Sequence, residues 1–121
     1  MMTRLSEIRH ELAELLVSGL GDGVAVSPSP PTAITAPGVI VRMDGGKRST
    51  SCRYTLQFVL VLIGPGGDNE AGVQALETLI DDVQNVLGQA GLPAGEWGAP
   101  YQTSTTPPYL AVDLALTTSA T

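Results

Sequence analysis

Charge is scarce in this 121-residue chain: Asp, Glu, Lys and Arg make up 15% of it, where about 25% is usual for a soluble domain. Cations are scarcer still, with six Lys plus Arg against twelve Asp plus Glu and a net charge of −6. That balance leaves no surface able to neutralise a run of phosphates, which excludes a direct grip on DNA or RNA. The single cysteine, Cys52, excludes an internal disulfide and any cysteine-based metal site, and it suits a reducing compartment. The single histidine, His10, falls short of the three or four converging ligands that a metal centre needs. Long apolar runs are missing as well. The longest, residues 58–63, is far below the roughly 18 residues needed to span a bilayer. The first ten residues already carry Arg4, Glu7 and Arg9, which excludes the apolar stretch of a secretory signal.

What is present is enough for one domain spanning residues 1–121. A chain of this length buries roughly two-thirds of the surface that it exposes when unfolded. Its hydrophobic fraction is ordinary at 43%, and its mean hydropathy is positive at +0.19. Little charge over a positive hydropathy implies apolar surface left for subunit contacts, and hence an oligomer.

Periodicity supplies the elements. Leu5, Ile8, Leu12, Leu15 and Leu16 recur at spacings of three and four, which predicts an amphipathic helix capped by Thr3 and stopped at Gly19 and Gly21. Residues 24–26 read as a short strand. Residues 27–38 contain Pro28, Pro30, Pro31 and Pro37 and predict an extended crossing. Residues 39–43 read as a strand running into Asp44, Gly45 and Gly46, whose composition predicts a turn, with a mobile hairpin tip over residues 43–51. Residues 52–63 read as a long strand. Its first half alternates Tyr54, Leu56 and Phe58 with polar residues, whereas residues 59–63 are apolar on both faces and need cover from two sides. Residues 71–87 carry a second helical stripe, Leu76, Leu79, Ile80, Val83, Val86 and Leu87, ended by Gly88 and Gly91. Residues 92–100 predict a weak strand, and residues 109–118 alternate strictly as a final strand. The order α-β-β-β-α-β-β implies an α+β fold, a mainly antiparallel sheet with two helices on one face.

Residues that carry chemistry do not assemble into a site. Gly64, Pro65, Gly66 and Gly67 stand where a phosphate loop would, but Asp68, Asn69 and Glu70 repel phosphate and act better as helix caps. His10 reads as a solvated helix residue and Cys52 as a structural thiol. Asp81 and Asp82 point about 100° apart around a helix, so Glu77, Asp81 and Asp82 read as lumen-facing or solvent-facing acids, not as a catalytic pair. Trp97 and Tyr101 either cap the core or anchor a partner, and the core is the expectation. No nucleophile, base and orienting group can be placed together, so no enzyme and no cofactor are expected. One charge pattern remains. Arg42, Lys47, Arg48 and Arg53 gather four of the six cations into twelve residues, as a solubilising loop or as a subunit-contact arm.

The series of an N-terminal amphipathic helix, a Val-x-Val strand, "TAPGVIVR", "CRYTLQFVLVLIG", "GDNEAGVQALETLIDDVQNVL" and "PPYLAVDLAL" resembles the tail terminator proteins of long-tailed bacteriophages over nearly the whole chain. That resemblance implies a virion protein assembled in the host cytoplasm. It would form a hexameric ring on the last ring of the tail tube, end tube polymerisation, and present a surface to the head-tail connector or stopper. DNA would pass through the ring without specific binding. The family carries no catalytic residues to transfer. Two alternatives stand beside it: a connector, stopper or minor tail protein of the same neck region, and a small soluble ligand-binding dimer.

Overall fold

In a computed structural model of the protein, which describes residues 4–28, 35–48, 53–92, 95–105 and 108–120, the amino-terminal Leu and Ile stripe folds as helix α1, Arg4–Leu20. Thr3, its expected cap, lies outside the described residues. Gly19 does not stop this helix. It lies inside it, and Gly21, at φ 78°, ends it with its N–H donating to the Val17 carbonyl at 3.1 Å.

Strand β1, Ala25–Ser27, pairs in parallel with strand β2, Gly38–Arg48. The expected extended crossing between them, residues 27–38, lies in part, at 29–34, outside the described residues; parallel pairing requires only that the connection return the chain to the same end of the sheet. Strand β3, Tyr54–Ile63, pairs antiparallel with β2, and strand β6, Leu110–Ala120, pairs antiparallel with β3 on its other side. The Asp-Gly-Gly sequence is not the hairpin turn. Asp44 forms a bulge between Met43 and Gly45, Gly45 takes φ 155°, and the ladder resumes to Arg48 opposite Tyr54. A bulge admits one extra residue without ending the pairing. The rest of the expected hairpin tip, residues 49–51, and Cys52 lie outside the described residues.

Helix α2, Glu70–Gln89, starts where the Asn69 carboxamide oxygen accepts the Gly72 N–H at 2.8 Å. Gly88 is helical and does not end it. Gly91, at φ 77°, does, with N–H groups of Gly91 and Leu92 donating to the Gly88 and Leu87 carbonyls, each at 3.0 Å. The weak strand expected over residues 92–100 is two residues long, β4, Glu96–Trp97, and a second, unexpected piece, β5, Tyr101–Gln102, lies beyond those bounds; both pair with β6. The fold is α+β, with a mixed, mainly antiparallel sheet ordered β1-β2-β3-β6-β4.

The core lies between both helices and one sheet face. Leu56, Phe58, Leu60 and Leu62 of β3, Val39 and Val41 of β2, and Leu110, Val112, Leu114 and Leu116 of β6 meet Leu12, Leu16, Leu76 and Val83. Each such side chain removed from water contributes about 1.5–3 kcal/mol, which is why the period-2 and period-3.6 stripes dominate the folding pattern. The odd-numbered β3 residues face away from the helices. There Ile63 is only 1% exposed, because residues 101–105 fold across that end of the sheet and line a groove with Ile40, Arg42, Val61 and Ile63. The doubly apolar half of the strand thus finds its second cover inside the chain.

Candidate functional site

The strap formed by residues 101–105 is held by the β5–β6 pairing, by Thr103, whose N–H donates to the Tyr109 carbonyl at 2.8 Å and whose Oγ1 accepts the Tyr109 N–H at 2.9 Å, and by one tyrosine–carboxylate contact. The Tyr101 hydroxyl donates to Asp113 Oδ1 at 2.6 Å. Asp113 projects from β6 opposite Val61, on the face without helices. Burial first, and then the Asp113 carboxylate, push the Tyr101 hydroxyl pKa up to about 12, while nearby Arg42 pulls the other way. The chain just before β4 is tied to helix α2 through Gln84, whose Nε2 donates to the Gly95 carbonyl at 3.1 Å. Trp97 and Tyr101 nevertheless stay at the surface, 53% and 41% exposed. They flank the β6 edge and do not cap the core, contrary to expectation, since the core lies on the helix face and Tyr101 reaches Asp113 on the other.

The four cations divide. Lys47 stands opposite Thr55, Arg48 stands opposite Tyr54, and Arg53 immediately precedes that pair, so these three share the outer end of the β2–β3 ladder. All three are exposed. Arg42, also exposed, lies further along β2 opposite Val59, beside the strap. The expected contact arm is therefore the end of a paired hairpin carrying three cations, with Arg42 set apart from it.

Glu77, Asp81 and Asp82 are exposed on α2. Glu77 and Asp81 stand one turn apart, a like-charge spacing that costs an isolated helix about 0.2–0.5 kcal/mol. No basic residue in the last turn offsets them. The chain contains no Lys or Arg after Arg53, while seven of its acids lie there. Among the described residues the two ion pairs are both within α1, Arg4 to Glu7 at 3.4 Å and Arg4 to Glu11 at 3.6 Å. Neither the hairpin cations nor the α2 acids take part in them.

Sheet edges form a second surface. Strand β1 covers only Gly38–Ile40 of β2, and β4 and β5 cover β6 only as far as Ala115. Among the described residues, the outer edges of β2 beyond Ile40 and of β6 beyond Ala115 are unpaired. The β2 edge is guarded by the Asp44 bulge, Lys47 and Arg48, as sheet edges commonly are. The β6 edge, Leu-Thr-Thr-Ser-Ala, has no charge, proline or bulge. By contrast, surplus apolar area is not gathered into a patch: among the described residues the exposed large apolar side chains are Leu5, Val17, Trp97 and Tyr101, spread over α1, β4 and β5.

Groups suited to acid–base or metal chemistry do not converge. No cluster of three or more His, Cys, Asp or Glu able to hold a metal exists among the described residues. The His10 Nδ1–H donates to the Ser6 carbonyl at 2.7 Å within its own helix, and His10 is half-buried, not fully solvated as expected. The glycine loop before α2 is folded on itself, Gly64 N–H donating to the Leu110 carbonyl at 2.9 Å and Gly67 lying against Gly72. No helix among the described residues is long and apolar enough to cross a membrane. No protein-family model matches the chain, and no curated protein matches it.

Proposed function

We propose that this protein is a virion structural subunit of tail-terminator type, which closes into a ring on the end of a phage tail tube, stops the tube growing, and offers its other face to the head connector. It acts by surface complementarity, without catalysis and without a cofactor, and DNA passes through the ring unread. The observation that carries the reading is the outer end of the sheet. There two strands leave their edges unpaired among the described residues, one guarded by cations and the other uncharged and unguarded. A lone subunit gains nothing from an unguarded edge, which invites strand addition by another chain. Two different edges favour head-to-tail contacts, which close into rings when the rotation permits.

The test is tube length. Tail-tube protein from the same phage is polymerised with and without this protein, and lengths are measured by electron microscopy. Substoichiometric protein is expected to shorten the tubes at fixed tube-protein concentration. Tubes of unchanged length, with the protein bound instead to purified head connectors, would favour the connector reading; unchanged length with no binding would refute both.

A further inference from the structure

The outer end of the β2–β3 hairpin presents Lys47, Arg48 and Arg53, exposed and outside both ion pairs of the described residues. A cationic hairpin on a chain of net charge −6 is surrounded by its own complement once it meets another copy. We propose that this hairpin end docks on the α2 face of a second copy, with Lys47, Arg48 and Arg53 of one subunit set against Glu77, Asp81 and Asp82 of the next. The inference rests on the assembly reading and deepens it by naming the subunit contact.

Three features select this occupant. The carboxylates of α2 have no cation on their own helix and none anywhere after Arg53, so neutralisation has to come from the first 53 residues or from another molecule. Within the chain, Arg4 is held by Glu7 and Glu11, Arg9 is half-buried on α1 and outside both ion pairs, Arg42 lies beside the strap, and the hairpin cations belong to the end of the sheet. Both partners also sit on regular elements. Lys47 and Arg48 stand on a paired ladder, with Arg53 next to it, and the acids on the middle of a 20-residue helix, so little ordering entropy opposes the contact. Because the donor patch and the acceptor patch differ, a head-to-tail contact leaves each copy with one of each free, and repeating it closes a ring when the rotation permits.

Complementary charge reversals test this in the absence of tail tubes, so the outcome is independent of any terminator role. One variant carries Lys47→Glu and Arg48→Glu, and the other carries Glu77→Lys and Asp81→Lys. All four positions are exposed, and circular dichroism confirms that each variant is folded. Sedimentation velocity at low salt should show the wild type associating, and each variant alone weakened by about tenfold or more, as expected when like charges replace a complementary pair. An equimolar mixture of the two should regain association, since the acidic hairpin of one then faces the basic helix of the other. Raising salt from about 0.1 M to about 1 M shortens the screening length from about 10 Å to about 3 Å and should dissolve the wild-type complex. A wild type that stays monomeric at low salt, variants that associate as well as the wild type, or a mixture no better than its parts would each overturn the proposal. Variants that self-associate normally but fail on tail tubes would overturn it too, and would assign these charges to the tube or to a channel lining.

Discussion

At the scale of single residues, Tyr101 carries more than its exposure suggests. Its hydroxyl, donating to Asp113 at 2.6 Å, holds the strap over Ile63 and Val61. The hydroxyl pKa is raised from 10.0 to about 12, so above pH 10 an unfolded chain gives up this proton while the folded protein keeps it. The stability from this group is fully present below pH 10 and is lost as pH rises through about 12. Urea midpoints measured at pH 9 and pH 11 should fall further for the wild type than for Tyr101→Phe. At neutral pH the same substitution should cost about 1 kcal/mol, the ordinary worth of one hydrogen bond. Equal alkaline losses in the two proteins would detach the tyrosine from the strap. Nothing in the sequence marks this pair, because Tyr101 and Asp113 lie twelve positions apart and meet only after β5 and β6 align.

Among the elements, two glycines of α2 separate packing from propensity. A methyl group on Gly72 would strike the backbone carbonyl of Gly67, which cannot swing aside, whereas one on Gly88 meets nothing within 4 Å. Gly72→Ala should therefore lower stability by about 1–3 kcal/mol through overpacking, and Gly88→Ala should raise it by about 0.5–1 kcal/mol through helix propensity. Thermal unfolding of the two variants should show shifts of opposite sign; a stabilising Gly72→Ala would mean that the loop yields.

The helices and the long strands were legible in the sequence because burial imposes its period on them: Leu12, Leu16, Leu76 and Val83 recur as a helix requires, and Leu110 to Leu116 as a strand requires. Asp44-Gly45-Gly46 misled because turns and bulges both use glycine's freedom at positive φ, and only the register with Gln57 and Leu56 tells them apart. Gly19 and Gly88 misled for a related reason. Glycine at a helix end is a stop only when the chain turns there, and the turns come at Gly21 and Gly91. The cover over Ile63 was illegible, since residues 101–105 have no period and owe their place to pairing with β6. Of the candidate site, the cations and the acids were legible as charge clusters. The unpaired edge beyond Ala115 was not, since it depends on how short β4 and β5 turn out to be.

For the whole molecule, the absence of a gathered apolar patch moves the weight of the assembly reading. Low overall charge led us to expect that apolar surface drives association. The folded chain covers one sheet face with its helices and one end of the other with the strap, and leaves charge and backbone edges unmatched instead. Contacts of that kind are individually weak, about 0–1 kcal/mol for an exposed ion pair. They become decisive when a closed ring repeats each of them around its circumference and when a tube end supplies a template. Association should therefore occur at low salt without the tube, weaken as salt rises, and strengthen when a tube end is present.

The most direct test is negative-stain electron microscopy of tail tubes incubated with the purified protein. The account predicts a closed ring seated at one end of each tube, on the plane of the last tube ring. Bare tube ends at saturating protein, or protein scattered along the tube walls, would contradict it.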